Sequence, residues 1–85
     1  VKISAVNVGY IEQHLNKFIS NGLVKMENNV YVVELKKLGY NKLLGDGRVS
    51  QKLKITAPYA SASAVEKVKG AGGEVIGLTD SKKDN

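Results

Sequence analysis

The apolar positions along the chain fall into two rhythms. Val8, Ile11, Leu15, Phe18 and Ile19 recur three or four residues apart, which places one apolar stripe along a helix over about 8–20. Asn7 stands where an N-cap belongs, and Gly22, after Asn21, fits a left-handed stop. The other rhythm is alternation. Residues 2–6, "KISAV", read as a short strand, and the β-branched run after "MENN" predicts a strand over 30–34, with Asn-Asn as a turn signal before it. "KKLGYN" reads as a connection with room for one helical turn, and "KLL", residues 42–44, starts a further strand. In "KLKITA", residues 52–57, Leu53 and Ile55 share one side while Lys52, Lys54 and Thr56 share the other, which predicts a half-buried strand with a basic outer face.

Pro58 lacks a backbone donor and ends that strand. Ser61 can cap the next helix, with Ser63 and Glu66 as an alternative capping box one turn along. Ala64, Val65, Val68 and Ala71 form its narrow stripe, and Gly72 and Gly73 close it. "EVIGL", residues 74–78, is a last strand. The fold class expected is α/β, a small mixed sheet with two helices packed on it in layers. Residues 1–78 are expected to form one globular domain and residues 79–85 a polar tail. The chain starts at Val1 as though a strand were already in progress, so it is expected to be a piece of a longer protein.

Charge changes the picture more than composition does. The 85 residues carry a formal net charge of +5. Residues 1–35 balance, and so do residues 55–85. The whole excess lies in residues 36–54, where Lys36, Lys37, Lys42, Arg48, Lys52 and Lys54 face Asp46 alone. Clustering of this kind is the footprint of a polyanion contact. There is no cysteine, which excludes disulfides and thiolate metal sites. No apolar run approaches a membrane span and no signal-peptide pattern is present, so the cytoplasm is the expected compartment.

Little in the chain suggests catalysis. The acids Glu12, Glu27, Glu34, Asp46, Glu66 and Glu74 are scattered without motif spacing. His14 is the only histidine and has no second ligand at helical spacing, so a surface or partly packed role suits it better than a metal site. Capping explains Ser61 and Ser63 better than nucleophilic chemistry, since no histidine base is near them in sequence. No enzyme activity, cofactor, metal or small-molecule substrate is expected.

The stretch "LLGDGRVSQKLKI" is the best candidate for ligand contact. A phosphate loop needs a helix behind its glycines, and here a strand pattern follows instead. Asp46-Gly47 reads as a tight turn, with Gly45 as a bulge beside it, joining strands 42–44 and 52–57 in a hairpin. In that reading Lys42, Arg48, Lys52 and Lys54, with Lys36 and Lys37 nearby, either reach toward phosphates or stand as solvated charges beside a purely structural turn. Tyr40 and Tyr59 flank the basic region, and Phe18 belongs to the core.

The run from Lys42 to Gly72, "KLLGDGRVSQKLKITAPYASASAVEKVKGAG", resembles the C-terminal signature of the ribosomal L-fifteen / L-eighteen-e family. The matching positions are Lys42, Leu43, Leu44, Gly45, Gly47, Val49, Leu53, Ile55, Ser61, Ala64, Val68, Gly72 and Gly73, and "LGYNK" extends the likeness toward archaeal and eukaryotic-type members. The resemblance implies a non-enzymatic, structural protein of the large ribosomal subunit with an irregular α/β layered fold. It implies large-subunit rRNA and neighbouring ribosomal proteins as partners, and no membrane. Where many members place an arginine and an aromatic before the capping serine, this chain has Tyr59 and Ala60. The alternative function class is a protein–protein adaptor without direct RNA contact.

Overall fold

A computed structural model describes residues 4–78; the expected tail, residues 79–85, and the first residues of the strand expected over 2–6 lie outside them. Strand β1 (Ala5–Asn7) leads into helix α1 (Val8–Gln13) and helix α2 (Leu15–Ser20). Strands β2 (Val24–Glu27) and β3 (Val30–Glu34) follow, then a single turn α3 (Leu35–Leu38) and strand β4 (Lys42–Leu44). Strands β5 (Leu53–Thr56) and β6 (Tyr59–Ala60), helix α4 (Ala62–Gly70) and strand β7 (Glu74–Ile76) complete the order. The layered α/β class is as expected, but the strands divide into two sheets. One has the order β1-β4-β6, and the other β2-β3-β5-β7.

That division overturns the hairpin. Strands β4 and β5 belong to different sheets, so Asp46-Gly47 does not join a paired ladder. Strand β4 runs parallel to both β1 and β6, while β5 runs parallel to both β3 and β7. Parallel neighbours cannot be joined by a two-residue turn. The chain after Leu44 instead crosses from one sheet to the other. The true hairpin is β2–β3, closed by Asn28 and Asn29 at φ 51° and 66°, the left-handed pair of a type I′ turn. The Asn-Asn signal was visible in the sequence; strand β2 before it, "VKME", was not among the expected strands, although its four residues alternate apolar and charged.

The first helix breaks at His14, where φ is −110° and ψ is 16°. Its backbone N–H is shared between the Tyr10 and Ile11 carbonyls, and its Nδ1 donates to the Tyr10 carbonyl at 2.9 Å. A side chain that competes for a helix carbonyl interrupts the ladder. Asn7 sits at the N-cap position but makes no side-chain cap; Ser61 does cap, accepting from the Ala64 N–H at 3.3 Å. Helix α2 ends as expected: Gly22 (φ +77°) donates to the Ile19 carbonyl and Leu23 to that of Phe18. The same paired bonds close α4 at Gly72.

The core lies between the sheets and the helices. Val8, Ile11, Leu15, Val33, Leu35, Leu43, Leu53, Ile55, Ala64 and Val68 are buried in it. Phe18 is only half-buried against it, and Ile19 is exposed. Helix α2 packs beside β2, and α4 beside β4 and β7. Glycine makes the α4–β7 return possible, since a Cβ on Gly73 would collide with the Leu53 backbone.

Candidate nucleic-acid interface

The crossing from β4 to β5, residues 45–52, is an exposed loop whose charge lies on Arg48, Lys52 and Asp46. Its backbone is fixed by groups far away in sequence. The Asn7 side chain, missing from its helix cap, accepts from the Asp46 N–H at 3.3 Å. The Gly9 N–H donates to the Asp46 carbonyl at 3.0 Å. Gly9 and Gly47 meet backbone to backbone: a Cβ on Gly47 would lie 2.5 Å from the Gly9 Cα. Gly47 also holds φ +101°, where an L side chain is strained. Gly45 fits against Ser63 and the Ala64 amide at the start of α4.

Glu12 clamps the far end of the loop. One carboxylate oxygen accepts from the Ser50 N–H at 2.7 Å and the Gln51 N–H at 3.2 Å; the other accepts from the Ser50 hydroxyl at 2.6 Å. Partial burial would push this carboxyl up, but the bonds from Ser50 and Gln51, with the Arg48 charge, outweigh it and hold the pKa below its ordinary value. Lys67, on α4, reaches across to donate to the Gly47 carbonyl at 2.6 Å. Nothing in the sequence marks Glu12 or Lys67 for this role. The one local hint was Gly9, a poor helix former placed in the first turn of a helix.

The structure separates the six basic residues of segment 36–54. Arg48 lies at the pinned loop, lining a cleft with Gly9, Tyr10 and Gly47, and Lys67 joins that region from α4. The Lys52 side chain, exposed, runs over Gly72 at the end of α4. Lys42 is half-buried on the central strand of the smaller sheet, between Ala5 and Tyr59. The other three lie among glutamates on the bare side of the larger sheet. Lys37 pairs with Glu34 at 3.6 Å. Lys36 shares a cleft with Glu34 and Thr56. Lys54 stands opposite Val32 and Glu74, in a cleft that also contains Glu27. A continuous basic segment in the sequence is therefore divided between two faces.

Among the described residues, no three His, Asp or Glu side chains gather in a way that could hold a metal ion, and no helix is long and apolar enough to cross a membrane. His14 is half-buried and stacked on Tyr10, with ring centroids 4.2 Å apart.

These features define a class: a small two-sheet α/β domain that presents a pinned glycine loop carrying an arginine. Comparison with known families matches residues 5–76 to the family of ribosomal proteins 50S-L15 and 50S-L18e with their 60S counterpart, and the chain belongs to that family. It is similar to the "Large ribosomal subunit protein uL15" of Hyperthermus butylicus, 41% identical over 76 residues that cover 89% of this chain and 50% of that protein. The uL15 protein of Methanobrevibacter smithii is 36% identical over 91% of this chain and 53% of its own length. That of Pyrobaculum neutrophilum is 47% identical over 82% of this chain and 45% of its own. The chain spans about half the length of these relatives.

Proposed function

We propose that this domain is a structural constituent of the large ribosomal subunit and binds large-subunit rRNA through the pinned loop and its cationic surround. Family membership over residues 5–76 is the observation that carries the reading. Arg48, Lys52 and Lys67 are the phosphate contacts, with Lys42 at the neighbouring strand. The clamp from Glu12, Gly9 and Lys67 supports this role, because a fixed loop loses less entropy on binding than a mobile one.

Lys36, Lys37 and Lys54 are assigned instead to packing against neighbouring ribosomal proteins. Parallel strands are ordinarily covered on both faces, yet the outer side of β3, β5 and β7 carries half-buried Val30 and Val32 and exposed Ile76 with no helix over them among the described residues. Mixed charge around an apolar floor suits a protein better than a polyanion.

Binding to purified large-subunit RNA, measured as a function of salt, tests the division. Removing one phosphate contact reduces the slope of log K against log salt by about 0.7–0.9. Replacing Arg48, Lys52 and Lys67 with glutamine should flatten the slope by about 2–3. Replacing Lys36, Lys37 and Lys54 should leave it nearly unchanged. Equal effects from the two sets would refute the assignment, and salt-insensitive retention would favour the adaptor reading.

A further inference from the structure

The cleft beside the pinned loop has a composition that phosphate contacts do not explain. Its lining includes Gly9, Tyr10, Gln13, Asp46, Gly47 and Arg48, around an open space of about 400 Å³. Tyr10 is 44% exposed. Behind it the His14 ring stacks at 4.2 Å and 30°, and the Phe18 ring lies tilted against both, 6.2 Å from His14 and 6.5 Å from Tyr10. The Nδ1 bond to the Tyr10 carbonyl fixes the imidazole in that position. Tyr10 is thus backed by His14 within a three-ring cluster, and it lines the cleft whereas His14 does not. A ring backed on one side and open to a cleft is a stacking platform.

Charge decides what could lie on it. Both oxygens of Glu12 are taken up by Ser50 and Gln51. Asp46, exposed at the cleft, repels phosphate, and Arg48 attracts it. A nucleotide would therefore set its phosphate at Arg48 and its base on Tyr10. The base edge would then face the Gln13 amide and the Asp46 carboxylate, an acceptor for an exocyclic amino group. A base inside a duplex has no free face and cannot use such a platform.

We propose that the Tyr10–Arg48 cleft is a stacking subsite for one unpaired RNA nucleotide, with preference for a base that carries an exocyclic amino group. This rests on the RNA-binding reading above. It adds a single-strand contact to a surface that otherwise recognises phosphate.

The only histidine in the chain makes the test direct. Its ring C–H resonances give a reporter that needs no label, set against the Tyr10 ring. A short oligoadenylate strand should shift both sets of signals, and oligouridylate should shift them less. Tyr10→Ala should weaken oligoadenylate binding by roughly 5- to 150-fold, the range of base–aromatic stacking. Tyr10→Phe should retain it, and binding of the adenylate–uridylate duplex should be the same for both variants. Single-strand binding that is indifferent to Tyr10→Ala, or duplex binding that falls equally, overturns the subsite while leaving phosphate binding in place. Shifts produced by an arginine-rich peptide but by neither RNA would overturn it in favour of a protein occupant. No binding of either RNA by the unaltered protein would overturn the RNA-binding reading as well.

Discussion

Gly47 and Gly39 offer a controlled test of the loop's anchoring. Both hold similar left-handed backbones, φ +101° and +91°. A Cβ at Gly39 would meet nothing within 4 Å, whereas one at Gly47 would lie 2.5 Å from the Gly9 Cα and 3.0 Å from its nitrogen. Carbon atoms in contact ordinarily sit about 3.5–4.0 Å apart, so the loop and the start of α1 must separate by about 1 Å to admit it. Gly39→Ala should then cost only the conformational strain, about 1–2 kcal/mol. Gly47→Ala should cost that plus an overpacking term of about 1–3 kcal/mol, for a sum of about 2–5 kcal/mol. A domain of this size is stabilised by about 4–13 kcal/mol in total, so the second variant loses a large share. Thermal melts followed by circular dichroism separate the two readily, because 1 kcal/mol shifts the midpoint of a small domain by about 4–8 °C. The functional consequence is that Gly47→Ala should also free Arg48 and weaken RNA binding, while Gly39→Ala should not. Two variants matched within about 0.5 kcal/mol would refute the backbone contact as an anchor.

The Glu12 clamp predicts a pH dependence of definite sign. Its carboxyl is held below the ordinary value of about 4.5, so its contribution is whole above that pH and is lost as the pH falls through the lowered folded value. Glu12→Gln should remove about 1 kcal/mol at neutral pH, discounted for solvent exposure. It should also speed amide exchange at Ser50 and Gln51 and flatten the acid limb of the stability curve; an unchanged acid limb would count against the clamp. Asn29→Gly should stabilise the β2–β3 hairpin by up to about 1 kcal/mol in urea denaturation, since Asn29 holds φ 66° and glycine adopts that backbone freely. A loss of stability there would mean that Asn29 contributes more than its turn conformation.

Where signals were local, the sequence was a sound guide. Ser61 caps α4 because a serine three residues before an amide needs only its own neighbours. The strand over Val30–Glu34 and the stop at Gly22 follow from β-branching and from left-handed freedom in the same way. Asn7 shows where this fails. Its position before a helix predicted a cap, but its oxygen accepts from Asp46, 39 residues away. The six basic residues adjoin in sequence and lie on two faces, because β4 and β5 enter different sheets.

By itself the sequence determined the periods, the Ser61 cap, the glycine stops, the net charge and the family likeness. The first three depend on residues within a few positions of one another, the charge on composition, and the likeness on motif spacing from Lys42 to Gly73. The tertiary structure alone decided that Asp46-Gly47 joins no hairpin, that Gly9 receives Gly47, and that Glu12 and Lys67 hold the loop. Turn propensity states how the chain can bend locally. Which strands pair after the bend depends on burying Leu43 in one sheet and Leu53 and Ile55 in the other, and that energy is shared across the whole core.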